Sequence, residues 1–133
     1  MKPLLKRQKQ MKVLLSIKPE FAEKIFDGSK RFEFRRSIFK NNQINTIVVY
    51  ASSPMQRVIG EFEIDHILFD EIENLWQKTR KYAGVEEEYF FNYFSEKKQG
   101  YAIAIKETRI YIKPLLLKEN YNMLPPQSFA YLI

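Results

Sequence analysis

FDGSKRFEFRR, residues 26–36, is the stretch on which the fold turns. Just before and into it, PEFAEKIFDG (19–28) sets Phe21, Ala22, Ile25 and Phe26 on one face at i, i+4 spacing, with Glu20, Glu23 and Lys24 outside. That period predicts a helix. Pro19 suits its first turn, where a missing N–H would be unpaired anyway, and Gly28 suits its C-cap. KRFEFRR then alternates strictly, which predicts a strand. With Phe32 and Phe34 toward the core, Arg31, Glu33 and Arg35 share the opposite face, and Lys30 stands at the strand's mouth. Glu33 between two arginines fixes their side chains, and a guanidinium held in place binds a phosphate or a base edge in bidentate fashion. The same residues also fit a cross-strand salt-bridge face in solvent, which contributes little. Spacing alone favours that second reading.

Outward from this stretch, strands dominate. KVLLSI (12–17) is an apolar run of strand length, and TIVVYA (46–51), β-branched and nearly all apolar, reads as a central strand. RVIGEFEIDHILF (57–69) alternates, with Phe62 and Ile64 inward and Glu61, Glu63 and Asp65 outward; GYAIAIKETRIYI (100–112) gives one or two strands before Pro114. Between them lie two helices. EIENLWQKTRKY, capped by Asp70, has Ile72, Leu75, Trp76 and Thr79 on one face. VEEEYFFNYF carries its glutamates in the first turn, where the helix dipole favours them. The tail NYNMLPPQSFAYLI is too apolar to float free and is expected to pack on the domain. This order is an α+β pattern, not a doubly wound one.

A chain of 133 residues is one domain, with 11 Phe and 8 Tyr to fill its core. Residues 1–11 read as a basic flexible leader and 12–133 as the single domain. Five of the 22 basic residues fall in 1–12 with no acid, which leaves 17 against 16 acidic residues elsewhere. The net charge of +6 thus comes mainly from the leader, which is either a solvated arm or a contact for phosphate. The absence of cysteine excludes disulfides and thiol chemistry. No apolar run reaches the ~18 residues of a membrane span, and no signal-peptide pattern opens the chain, so a cytoplasmic location is expected.

P-loop, GxSxG, HExxH and GxGxxG patterns are all missing. His66, the single histidine, reads as a partly buried strand residue. Glu61, Glu63 and Asp65 share a face but read as a solvated row, so no metal or other cofactor is expected.

GSKRFEFR fits the G-x-K-x-x-E-x-R signature of ASCH domains through Gly28, Lys30, Glu33 and Arg35. Together with LLSIKPEF, VVYASSP, VIGEFEI, LWQKTRKYAG and PPQSFAYL, the chain resembles the small stand-alone ASCH proteins of archaea, bacteria and phages over about residues 12–132. That resemblance implies a PUA-like fold, a partly open mixed β-barrel with flanking helices, and a cleft that takes RNA or a modified nucleotide. Lys30 and Arg35 then carry over as anion or base contacts and Glu33 as their organiser or a base-edge acceptor.

Ser16 and Lys18 stand at a helix N-terminus suited to an anion. Tyr50, Ser52 and Ser53 end a central strand at the barrel mouth. Gln127, Ser128 and Phe129 are placed to close the cleft, an amide for a base edge and an aromatic for stacking. Trp76 and Tyr82 offer stacking platforms. Plainer readings exist: a turn at 52–54, a core plug at Phe129, a core tryptophan at Trp76.

Two functions are expected. The first is a binding module for RNA or a modified nucleotide, open to a regulatory role. The second is a small ASCH-type enzyme using Lys30 and Glu33, either an amidohydrolase on a modified cytidine or a metal-independent ribonuclease. Deacetylating relatives have a threonine where this chain has Glu33, which counts against the amidohydrolase.

Overall fold

The computed structural model describes residues 11–132. Six strands, β1 (Lys12–Ile17), β2 (Phe32–Arg35), β3 (Thr46–Ala51), β4 (Arg57–Glu71), β5 (Gln99–Leu115) and β6 (Phe129–Leu132), form one mixed sheet in the order β2-β5-β4-β3-β1-β6. Only the β1–β3 pair is parallel. Helices α1 (Pro19–Asp27), α2 (Ile72–Thr79), α3 (Glu87–Tyr93) and α4 (Leu117–Tyr121) flank it. The architecture is α+β, and the sheet curls without closing.

The curl follows from what the strands bury. TIVVYA has no polar face, and all of β3 is buried. Val13, Leu15 and Ile17 of β1 pack with Ile47 and Val49 of β3, Phe62 of β4, Ile103 of β5 and Ala22 and Ile25 of α1. One helix stripe thus fills the concave side of four strands. Leu14, Val48, Tyr50 and Val58 face the other way and are covered by Leu117 of α4. A third cluster joins Phe34 and Ala102 to Leu75, Trp76, Phe90 and Phe94 of the helical insertion. Each fully buried apolar side chain in such a cluster contributes about 1.5–3 kcal/mol relative to exposure.

Several boundaries differ from the sequence reading. β5 continues through Pro114 because residues between Ile110 and Leu115 have no register partner on β4, so the missing N–H breaks no ladder bond there. The pairing of β4 shifts around Ile64, which ends the clean alternation. His66 is therefore exposed, with Nδ1 3.1 Å from Asp65, instead of partly buried. Asp70 does not cap α2: it is the last residue but one of β4, accepting from the Glu71 N–H and from Lys78. Trp76 is core, 4.9 Å from the ring of Phe90.

No helix among the described residues is long and apolar enough to cross a membrane. Residues 1–10 of the expected leader lie outside the described residues.

Candidate nucleotide cleft

The loop after α1 places the signature. Gly28 takes φ +88° at the C-cap, a conformation glycine adopts without strain. Asp27 accepts from the Ser29 N–H at 2.8 Å, and the chain then turns so that Arg31 N–H donates to the Tyr82 carbonyl at 2.9 Å. This docks the start of β2 against residues 82–84. Lys30 is driven inward.

Lys30 is 2% exposed. Its Nζ donates to the Ala83 carbonyl at 2.8 Å and lies 4.8 Å from the ring centre of Phe34 and 5.4 Å from that of Phe21. Glu33 Oε1 is 4.0 Å away. Burial pushes the Lys30 ammonium down to about 8; the Glu33 carboxylate opposes the shift and Lys24 adds to it. The lysine stem lies across Gly84, where an added Cβ would stand 2.4 Å from the Lys30 Cβ and the backbone holds φ +69°. Glycine is required there on both counts.

Glu33 is buried as deeply as its neighbour Phe34, at 6% against 7% exposure. The expectation of one buried and one open face on β2 is corrected. Glu33 pairs with Ile103 on the side of α1, while Phe34 pairs with Ala102 under the helical insertion. Both faces are covered. Arg31, grouped with Glu33 by alternation, is exposed because the strand begins only at Phe32.

Arg35 bridges the open edge of the sheet. Its Nη1 donates to the Ser16 carbonyl (3.4 Å) and Glu33 Oε2 (3.3 Å), and its Nη2 to the Ser128 carbonyl (3.2 Å) and Oγ (2.8 Å). All four N–H groups of the two terminal nitrogens are thus used within the fold. Arg35 is a clamp joining β2, the end of β1 and the segment before β6, not a spare fork for a ligand.

These residues line a cleft of about 410 Å³, within the size range of small-molecule sites. Lys30, Glu33 and Phe34 are at its base; Ser16, Arg35 and Ser128 form one wall. Phe21, Tyr89 and Tyr93 supply aromatic surface, with Lys18 5.1 Å from the ring centre of Tyr89 and the Arg36 guanidinium 4.5 Å from that of Tyr93. A base can stack on such a ring while its phosphate meets the cation at the rim.

The family model for the ASCH domain matches residues 15–112. The chain belongs to the ASCH domain family. An ASCH domain-containing ribonuclease from Zymomonas mobilis is 30% identical over 123 residues, covering 90% of this chain and 82% of that protein. The crystal structure of ASCH from Zymomonas mobilis matches with a TM-score of 0.84 at 31% identity, covering 92% of this chain and 87% of the other. A large ribosomal subunit protein uL22 from Ureaplasma parvum is 27% identical over 121 residues; the ASCH chain is 90% covered but spans 39% of that protein's length.

Of the residues singled out from the ASCH sequence, Ser16, Lys18, Lys30, Glu33, Arg35, Gln127 and Ser128 meet at the cleft. Four do not. Tyr50 is 3% exposed in the cluster beneath α4, because β3 buries both its faces. Ser52 and Ser53 form the turn between β3 and β4, where the Ser52 N–H donates to the Ile17 carbonyl. Phe129 packs on Phe39 at 6.0 Å, as a core plug. Tyr82 is exposed, and the Glu61 carboxylate is taken up by Tyr111, Arg109 and Lys12, apart from Glu63 and Asp65.

Sequence reasoning missed Phe21, Arg36, Tyr89 and Tyr93. YFFNYF does carry a signal for the tyrosines. Phe90 and Phe94 occupy the buried i, i+4 stripe, so Tyr89 and Tyr93 form a second, half-buried aromatic stripe, with Tyr93 packed at the edge of that cluster.

Proposed function

We propose that this ASCH domain binds single-stranded RNA and takes one nucleotide, plain or modified, into the cleft between β2 and α3. The observation that carries the reading is the layering of the cleft. Buried polar groups lie at the base, aromatic faces above them, and the exposed cations Lys18 and Arg36 at the rim. A base needs the first two layers and its phosphate the third. Fluorescence anisotropy with a labelled single-stranded RNA tests it. Binding that weakens with salt and is reduced in Tyr89→Ala is expected; equal binding by wild type and Tyr89→Ala would remove the cleft from the interface.

A second reading, metal-independent cleavage of RNA, is favoured by one feature. Lys30, pushed down to about 8, is partly neutral near physiological pH and can take a proton from an attacking 2′-hydroxyl. The ribonuclease name of the Zymomonas relative points the same way. Incubation of the labelled RNA with EDTA, followed by a denaturing gel, separates the two. Fragments that disappear in Lys30→Met place a reaction in the cleft; intact RNA leaves a binding module.

A further inference from the structure

The choice of base follows from which polar groups at the cleft floor remain unused. Arg35 has none of its four terminal N–H groups to offer, since Ser16, Glu33 and Ser128 take them all. Glu33 is the acid among the lining residues of the described chain. Its Oε2 accepts one bond from Arg35 at 3.3 Å. Among the described residues nothing donates a hydrogen bond to Oε1, whose nearest cation, the Lys30 Nζ, is 4.0 Å off. A carboxylate has about four lone-pair sites, so this one, more than nine-tenths buried, keeps acceptor capacity on both oxygens. No fully buried side-chain polar atom among the described residues lacks a partner, so Oε1 opens into the cleft, where an entering base can supply the donors.

Resting on the RNA reading above, we propose that the cleft selects guanine: Glu33 accepts the adjacent N1–H and N2–H of the base, and the Lys30 ammonium faces O6. The Watson–Crick edge of guanine presents two neighbouring donors beside one acceptor. Adenine and cytosine set a ring-nitrogen acceptor next to their amino group, and uracil has one N–H between two carbonyls. Each of these three would aim a lone pair at a buried carboxylate, which is repulsive as well as unpaired. The spacing also suits guanine. O6 and N1 are neighbours along one edge, as are the donor Lys30 Nζ and the acceptor Glu33 Oε1. Uracil, acceptor–donor–acceptor, would need a second donor beyond Glu33. Arg35 lies on that side of Glu33 with its four terminal N–H groups engaged, which leaves the exposed Gln127 amide as the donor of the lining there.

The test uses the full chain and labelled nine-nucleotide oligoadenylates carrying one central guanosine, inosine, adenosine, cytidine or uridine, read by anisotropy. The guanosine oligonucleotide is expected to bind tightest. Inosine, which lacks the 2-amino group, should lose on the order of tenfold. Glu33→Gln should level the series, and the inosine comparison stands on wild-type protein even if that variant fails to fold. Unlabelled guanosine 5′-monophosphate should displace the guanosine oligonucleotide at concentrations where adenosine 5′-monophosphate does not. Equal affinity across the series, or a pyrimidine preference, would overturn guanine selection while leaving RNA binding intact. If no oligonucleotide binds but the guanine mononucleotide does, the base chemistry holds and the RNA reading fails. If neither binds, both fall.

Discussion

Lys30→Met tests the electrostatics of the cleft floor. In the fold, burial lowers the Lys30 ammonium from 10.5 to about 8. At about 1.36 kcal/mol per pH unit, holding the charged form in place costs about 3 kcal/mol. The sign follows from proton counts. Between pH 8 and 10.5 the unfolded chain keeps the proton and the folded chain has lost it, so stability rises with pH across that window. Below pH 8 the full cost is present. Methionine removes the charge and fills similar space, but leaves the Ala83 carbonyl without its 2.8 Å partner, a loss of about 1–3 kcal/mol. Near pH 7 the two terms roughly cancel. Urea unfolding at pH 7, 8, 9 and 10 on both proteins isolates the effect, because every other group titrates in each. The stability of wild type relative to Lys30→Met should climb by about 2–3 kcal/mol over that series. Parallel stability curves would refute a buried, strained ammonium.

Three further outcomes follow from the same geometry. Gly84→Ala combines a positive φ with a Cβ 2.4 Å from the lysine stem, so it should lose about 2–3 kcal/mol in urea unfolding and weaken RNA binding by displacing Lys30. Arg35→Lys keeps the charge but cannot hold Ser16, Glu33 and Ser128 together, so stability should fall on the order of 2 kcal/mol, with faster amide exchange across β6. Tyr89→Ala should lower RNA affinity by about 1–3 kcal/mol with an unchanged salt slope, whereas Arg36→Ala should reduce that slope by about one.

Much of the fold was legible because local pattern and tertiary burial agree. The α1 stripe, the wholly apolar β3 and the Phe32/Phe34 alternation each follow from one period. Where the period failed, a neighbour intervened. The shift around Ile64 changed which side of β4 His66 faces, and that shift is a property of the β4–β5 pair, not of either strand. The site divides the same way. Gly28, Lys30, Glu33 and Arg35 lie within one turn and strand, so the signature found them. Their roles were less visible. Arg35 reads as a ligand fork until Ser128, 93 residues away, is seen to occupy it. Glu33 reads as exposed until α1 and Ile103 are seen to cover it. The cleft tyrosines were missed because their helix period also fits core packing.

The central claim is that a nucleotide enters between β2 and α3. Photocrosslinking of single-stranded RNA containing 6-thioguanosine, followed by peptide mass spectrometry, addresses it directly. Adducts are expected on Phe21, Tyr89 or Tyr93, suppressed by excess unlabelled RNA and lost when Gly84→Ala displaces the cleft floor. Adducts confined to the outer face of β4 and β5, with none on those three rings, would contradict it.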